Sequence, residues 1–209
     1  MMPETDAILS RLHAALPAAA VAQRRNPGPS GQHSLLVAPE HLVAVCQFLR
    51  DTPDLDFDLL TNVTGVDWPD PAKADAVAVP LEETPAAACG FLEVVYHLYA
   101  TTRRVGPLVL RARTADRATG VQIPSVVPVY RSAEFQEREI YDLFGVVFTG
   151  HPDLRRILMW DEFEDHPMRK DYVAPDDYQY EPTPHDAVLE KAKLHYPAPA
   201  SDNKSPGLC

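Results

Sequence analysis

The sequence predicts an α+β fold, in which helices and β-strands form two packed layers. Hydrophobic spacing indicates a helix, a strand and a second helix in the N-terminal part, then a group of strands and a closing helix. Beyond Val173, prolines recur and large apolar side chains become few, which is typical of a segment that cannot fold alone. We therefore divide the 209 residues into a domain over 1–172 and a proline-rich extended tail over 173–209 that becomes ordered against a partner.

Two amphipathic helices around one strand are predicted at the start of the domain. The first helix has Thr5 or Asp6 as a candidate N-cap and ends near Pro17. Its apolar residues recur at helical spacing: Ile8, Leu9, Leu12, Ala15 and Leu16. Residues 33–37 have strand character, and Pro39 fits the first turn of the second helix. The apolar side of that helix comprises Leu42, Val43, Cys46 and Leu49.

Three strands are predicted in the middle of the chain. Residues 57–66 are rich in Leu, Val and Thr, and residues 67–85 are rich in Pro, Ala and Asp, which indicates a connection. The clearest strand covers residues 90–100, where β-branched and aromatic side chains follow one another. Residues 107–114 are expected to pair with it across a turn at 101–106.

A closing helix is predicted from Ser132, which can cap it, to about Phe144. Gly145 comes one place after the last helical residue, where a left-handed conformation costs glycine little. Residues 146–148 form a short apolar segment after it.

Charge and hydropathy exclude two classes of function. The net charge is −11, from 19 basic and 30 acidic residues, and no basic stretch could release counterions from nucleic acid. An acidic chain is also repelled by anionic lipid headgroups. The apolar stretches are short and interrupted by proline, whereas a membrane helix needs about 20 apolar residues. We expect neither nucleic-acid binding nor direct membrane insertion.

The N-terminus and the cysteines indicate a reduced cytoplasmic compartment. Glu4 and Asp6 precede the first basic residue, whereas targeting segments open with positive charge and avoid acid. Cys46, Cys89 and Cys209 are widely spaced, odd in number and unlike a metal-binding pair. Cys46 is expected to pack as a small hydrophobe on its helix.

No motif for an independent catalytic site is evident. The sequence contains neither a phosphate-binding glycine loop nor a GxSxG elbow, and its eight histidines lack HExxH spacing. His151, Asp153 and His166 could meet around a metal ion, which would suit a metal-dependent hydrolase. The pattern favours a simpler interpretation, in which both histidines form hydrogen bonds in turns that contain proline.

Residues 134–172 stand out because acidic, basic and aromatic side chains alternate there. Arg138 lies four residues from Glu134 and from Asp142, so ion pairs along one side of the helix are expected. A charged stretch of this kind is commonly a solvated face. Apolar residues are interleaved with the charges, however: Phe135, Ile140, Phe144, Val146 and Phe148. That mixture is typical of a protein–protein contact.

Three arginines in the same stretch, Arg155, Arg156 and Arg169, can each hold a carboxylate in two-point geometry. The stretch reads ERE at 137–139, YDLFG at 141–145, GHPDLRRIL at 150–158 and HPMRKDY at 166–172. In these motifs the chain resembles the 30 kDa subunit family of NADH:quinone oxidoreductase, which is respiratory complex I. Weaker similarity lies on two predicted strands, at 64–69 and 93–98.

The resemblance implies a two-layer α+β domain with a mixed sheet and a role in binding and support, with no catalytic residue in this chain. Eleven residues, which we call the signature residues, would serve the interface or the fold: Glu137, Arg138, Glu139, Asp142, His151, Asp153, Arg155, Arg156, His166, Arg169 and Lys170. It also implies that flavin and iron–sulfur clusters are held by partner subunits and none by this chain.

The expected partners are other subunits of the peripheral arm of complex I, above all the large quinone-site subunit and the cluster-bearing subunits. The tail at 173–209 would become ordered on these subunits, on the cytoplasmic side of a bacterial membrane. Two related interpretations stay open, an equivalent subunit of a membrane-bound hydrogenase and one of a quinone oxidoreductase fed by another donor. A free-standing hydrolase and a soluble adaptor unconnected with respiration are the alternatives of a different class.

Overall fold

The computed structural model describes residues 5–26, 31–70, 90–118, 120–163 and 165–173. Its helices are α1 (Thr5–Ala15), α2 (Leu42–Asp51) and α3 (Ala133–Phe144), with short 3-10 turns at Pro17–Ala19 and Pro39–His41. Its strands are β1 (Ala22–Arg24), β2 (Ser34–Val37), β3 (Leu59–Trp68), β4 (Phe91–Ala100), β5 (Val105–Arg113), β6 (Gln122–Pro124) and β7 (Val147–Thr149).

Five of the strands form one mixed sheet in the order β1-β2-β5-β4-β3. The β2–β5 pair is parallel, and the other three pairs are antiparallel. β6 and β7 form a separate parallel pair. This arrangement confirms the predicted α+β fold with a mixed sheet and packed helices.

The core lies between the helices and one face of the sheet. β4 contributes every second residue to it: Leu92, Val94, Tyr96, Leu98 and Ala100. Apolar residues of α1 and α2 belong to the same cluster, among them Leu12 and Val45. α3 crosses β3 closely at Gly65, where an added Cβ would lie 2.6 Å from Cδ2 of Phe144. The side chain of residue 65 is therefore limited by the approach of this helix.

The two helices and the strand predicted in the N-terminal part are confirmed, but the candidate N-caps Thr5 and Asp6 both lie inside α1. α1 ends at Ala15 before Pro17, and β2 covers most of the predicted strand. Pro39 lies in the 3-10 turn that leads into α2. Cys46 is fully buried, and burial raises the pKa of its thiol to about 12, as befits a small hydrophobe. β1 was not predicted, because three residues are too few to establish a pattern.

The middle strands are confirmed with shifted ends. β3 begins at Leu59 and continues through Asp67 and Trp68, which we predicted as the start of a connection. The reason is that both residues pair with the beginning of β4, as far as Phe91. β5 pairs with β4 as predicted. Residues 71–89, and Cys89 with them, lie outside the described part of the chain.

The closing helix is confirmed, but its predicted cap is wrong. Ser132 occupies the N-cap position with helical backbone angles, and its hydroxyl donates to the carbonyl of Leu60 (2.8 Å) but accepts no N–H group of the helix. Gly145 adopts the predicted left-handed conformation, with φ 77°. The tail at 173–209, with Cys209, lies outside the described residues except for Val173. Among the described helices, none is long and apolar enough to cross a membrane.

Candidate functional site

Glu137 is a buried carboxyl group on the inner side of α3. Its side chain accepts hydrogen bonds from the hydroxyl of Ser125 (2.6 Å) and the backbone N–H of Val126 (2.8 Å). Burial raises the pKa of Glu137 to about 7, against the opposing effect of these two hydrogen bonds. The residue joins α3 to the chain that follows β6, and it has no exposed surface with which to touch another molecule.

The carboxylate of Asp142 binds backbone groups of the segment that follows β7. Its Oδ2 accepts N–H groups from three consecutive residues, Ile157 (3.0 Å), Leu158 (2.7 Å) and Met159 (2.9 Å). Its Oδ1 lies 2.6 Å from Nη1 of Arg156. Burial alone would raise the pKa of Asp142, but these four donors together hold it below its usual value. We call this arrangement the Asp142 anchor.

Arg138, one turn before Asp142 in α3, binds the backbone of the same segment. Its guanidinium donates to the backbone carbonyls of Arg155 and Arg156 (3.2 Å each), and its Nη1 lies 3.8 Å from Oδ2 of Asp153. The predicted ion pairs of Arg138 along the helix, including the one with Asp142, are therefore wrong. The guanidinium instead donates to two consecutive backbone carbonyls of this segment.

The two histidines bind backbone groups, as the simpler interpretation predicts. His151 accepts the N–H of Asp153 at Nδ1 (3.0 Å), so its Nε2 carries the proton and donates to the carbonyl of Glu134 (2.9 Å). His166 places Nδ1 3.0 Å from the carbonyl oxygen of Asp142. Among the described residues, no group of three His, Cys, Asp or Glu side chains could hold a metal ion.

Arg169 and Lys170 attach the end of the described chain to α3 and to the sheet. Arg169 donates to the carbonyls of Phe144 (2.7 Å) and Arg117 (2.9 Å), so the prediction that it holds a carboxylate is wrong. The backbone N–H of Lys170 donates to Oδ2 of Asp67 (2.7 Å). The guanidinium of Arg117 binds both oxygens of the same carboxylate (2.6 Å each). Through these contacts the segment that contains Arg169 and Lys170 is bound to the end of β3.

The exposed signature residues form a second group. Glu139, Asp153, Arg155 and Lys170 are exposed, and Arg155 pairs with Asp153 two residues away (3.0 Å). The interleaved apolar residues, by contrast, are mostly inside the domain: Ile140, Val146 and Phe148 are buried and Phe144 is half-buried. Phe135 alone among those five is exposed. The predicted mixed surface of aromatics and charges is thus wrong for the buried ones, because they pack into the core.

Several important contacts were not predicted. Glu93 on β4 is fully buried and accepts hydrogen bonds from Arg111 (3.1 Å), Arg113 (2.7 Å) and the indole N–H of Trp68 (3.1 Å). Glu93 lies within the weaker similarity at 93–98, which was the one signal available. Arg117 lay in a stretch without any recognisable pattern.

A family match and individual relatives, compared with this chain, indicate the same protein family. Residues 35–178 match the family described as respiratory-chain NADH dehydrogenase, 30 Kd subunit. The C subunit of the NADH-quinone oxidoreductase of Salinispora tropica is 40% identical over 167 residues, which are 80% of this chain and 60% of that protein. The equivalent protein of Roseiflexus sp. is 38% identical over 171 residues, 82% of this chain and 85% of that one. The chain thus spans less than two thirds of the first relative and most of the second.

One solved structure has a similar fold. A chain of the membrane-bound sulfane sulfur reductase, an archaeal respiratory membrane complex, aligns with 97% of this chain and 99% of its own length, at a TM-score of 0.55. The sequence identity is 20%, so the likeness concerns the fold alone.

Proposed function

The chain belongs to the 30 kDa subunit family of respiratory-chain NADH dehydrogenase, and from this premise we propose that it is a structural subunit without catalytic residues of its own. It would form part of the quinone module in the peripheral arm of a proton-translocating NADH:quinone oxidoreductase. In that position it supports electron transfer from NADH to quinone, while other subunits hold the flavin and the iron–sulfur clusters.

The Asp142 anchor is the observation that carries this proposal. Asp142, Arg138 and Arg169 direct their charges at the backbone of the same chain. Such contacts fix the shape of a surface and do not activate a nucleophile or move a proton to a substrate. A rigid surface of this kind suits a subunit that positions its neighbours.

The proposed neighbours are the large subunit that shapes the quinone site and the cluster-bearing subunits of the arm. Family membership supports partners within such a complex. We propose further that the chain is attached peripherally, through these subunits, to the cytoplasmic side of a bacterial membrane.

Replacement of the native chain by a tagged copy in its host tests this function. We expect the tagged chain to co-purify from solubilised membranes with flavin- and cluster-bearing subunits, which mass spectrometry can identify. Deletion of the chain should abolish NADH-dependent quinone reduction by the membranes. Recovery of the chain only as a free monomer, or unchanged quinone reduction after deletion, would contradict the proposal.

A second candidate is the equivalent subunit of a respiratory membrane complex that takes electrons from another donor. The similarity of fold to a chain of the archaeal sulfane sulfur reductase favours it, since this fold is then not restricted to NADH-linked complexes. The purified complex distinguishes the two candidates. NADH should reduce its clusters rapidly in the first case, and only another donor should do so in the second.

A further inference from the structure

Two segments attached to the same turn of α3 present large apolar side chains to solvent. Ile157 and Leu158 lie on the first segment, 38% and 56% exposed, and Met168 lies on the second, 54% exposed. Asp142 binds the amides of Ile157 and Leu158, while the amide of Met168 donates to the carbonyl of Leu143 (3.1 Å). We call these three side chains the apolar loop surface. Their backbone is fixed although the side chains lie largely in water.

The main chain of this surface is hydrogen-bonded to α3, whereas its side chains are exposed and can contact another molecule. Asp142 binds three consecutive N–H groups, and any residue type except proline would supply them. A single exposed apolar side chain is common on any protein. A preorganised backbone, however, loses little main-chain freedom on binding, which lowers the entropic cost of a protein–protein contact at these side chains.

The charges nearby indicate the chemistry of the occupant. Asp161, Glu162 and Asp165 are exposed and lie in the turn between the two segments. Two exposed cations belong to these segments: Arg155 is already paired with Asp153, and Lys170 leaves the three carboxylates in excess by two. The chain as a whole carries a net charge of −11. A partner must therefore place positive charge beside its apolar contact, since like charges across an interface repel. A second copy of this chain, related by symmetry, would bring the same acidic residues face to face.

We infer that the apolar loop surface docks into an apolar groove, bordered by lysine and arginine, on another subunit of the assembly. This inference rests on the proposed function, which supplies the neighbouring subunits. It adds the part of the chain that makes the contact and the chemistry of the surface that receives it. The Asp142 anchor then acts as the support of the contact, which explains why a fully buried carboxylate is used to order an exposed loop.

The test uses the full-length tagged chain in its host, with Leu158→Ser and Met168→Ser combined. Leu59→Ser is the matched control, because Leu59 is also an exposed leucine (40%) but lies on β3. We expect the double variant to recover neighbouring subunits about tenfold less well than the unmodified chain, and the control to recover them equally well. Quantitative mass spectrometry of the purified material gives the ratio of each subunit to the tagged chain.

The outcomes separate this inference from the proposed function. If the unmodified chain recovered no neighbouring subunits, the proposed function would fail. If the unmodified chain and the double variant recovered them equally, the function would stand and the inference would be overturned. Thermal unfolding of the purified full chains completes the test. If the double variant melted well below the Leu59→Ser chain, the two side chains would serve the fold, which would also overturn the inference.

A second variant tests the basic border of the groove. Asp161→Asn, Glu162→Gln and Asp165→Asn together should make recovery of the neighbouring subunits weaker at low salt and less sensitive to added salt, because fewer charges attract across the contact. Recovery that is unchanged at every salt concentration would overturn the charge complementarity.

Discussion

Asp142 and Glu137 are both fully buried carboxyl groups on α3, yet their surroundings shift their pKa values in opposite directions. Asp142 receives three backbone N–H groups and the guanidinium of Arg156, which together outweigh the effect of burial. Glu137 accepts one hydroxyl and one N–H group, and these two donors do not outweigh the effect of burial on its pKa. The number and charge of the donors therefore decide whether the pKa of a buried carboxyl group is raised or lowered.

Replacement of Asp142 by asparagine tests the anchor. The variant loses the negative charge that pairs with Arg156, and its single amide oxygen can serve either Arg156 or the N–H groups of residues 157–159, but not both. We expect the free energy of unfolding to fall by about 3 kcal/mol, in the range for removal of one partner of a buried ion pair. Urea titration measures it. Asp153→Asn, at an exposed pair, is the control and should change it by less than about 1 kcal/mol.

Glu137 predicts a pH dependence of stability. Its pKa is raised from 4.5 to about 7 in the folded chain, so the folded chain binds this proton more tightly than the unfolded one. The contribution is fully present below pH 4.5 and is lost as the pH rises to 7. Glu137→Gln should therefore gain about 3 kcal/mol relative to the unmodified chain between pH 4.5 and 8. Urea titrations over this pH range measure the difference.

Glu139→Gln is the control for this experiment, because Glu139 lies on the exposed side of the same helix. Its stability should follow that of the unmodified chain at every pH. Parallel profiles for Glu137→Gln and the unmodified chain would show that Glu137 does not carry the raised pKa.

At this scale the contacts of Arg138 and Asp142 differ from those that the sequence indicated. The spacing of Glu134, Arg138 and Asp142 indicated contacts within one helix. The actual partners of Arg138 and Asp142 are backbone groups of residues 155–159. Backbone donors and acceptors have no residue-specific pattern in a sequence. The anchor could therefore not be derived from the identity of the residues that it holds.

At the scale of elements, the contact between α3 and β3 depends on Gly65. Gly65→Ala would place a methyl group 2.6 Å from Cδ2 of Phe144, so the ring or the helix must move. We expect a loss of about 1–3 kcal/mol in the free energy of unfolding, the usual cost of overpacking. Chemical denaturation measures it. The additional change Phe144→Leu should restore part of the loss, since it removes ring atoms from the contact.

Thr64→Ala serves as the matched control for that variant. Thr64 is the adjacent, exposed residue of β3, and its change should alter stability by about 0.5 kcal/mol or less. A loss as large as that of Gly65→Ala would contradict the steric explanation.

The elements that the sequence predicted well are the long ones. β4 carries β-branched and aromatic residues throughout, and α2 keeps one apolar side. α3 has twelve residues and ends at the predicted Gly145, although charged residues are also buried along it. β1 and β6 have three residues each, too few to establish a pattern, and each becomes recognisable only through its pairing with the next strand, β2 or β7. The predicted N-cap of α3 was wrong for a related reason. Ser132 finds a carbonyl on β3, a partner visible only once the sheet is formed.

At the scale of the whole described domain, Asp67 joins segments that are distant in sequence. It binds Arg117 through both oxygens and the N–H of Lys170 through one. We expect Asp67→Asn to loosen residues 165–172 from the sheet. The amide of Lys170 should then exchange with solvent about tenfold faster, as measured by hydrogen exchange.

Asp171→Asn is the control for this local opening. It removes only the exposed ion pair with Arg117 and leaves the hydrogen bond from Lys170 to Asp67 in place. Its effect on the exchange rate of the Lys170 amide should be small, about twofold or less. Equal acceleration in both variants would contradict the role of Asp67.

The parallel pairing of β2 with β5 has a consequence for biosynthesis. β2 is held in the sheet between β1 and β5, and its register joins Ser34 to Val109. A ribosome that adds about 5–20 residues per second must continue for several seconds after β2 emerges before β5 is available. During this interval α1, β1, β2 and α2 lack the central strands on which they pack. The apolar surfaces of the N-terminal part therefore stay exposed until the sheet can close, and this interval is the one in which the nascent chain is most prone to aggregate.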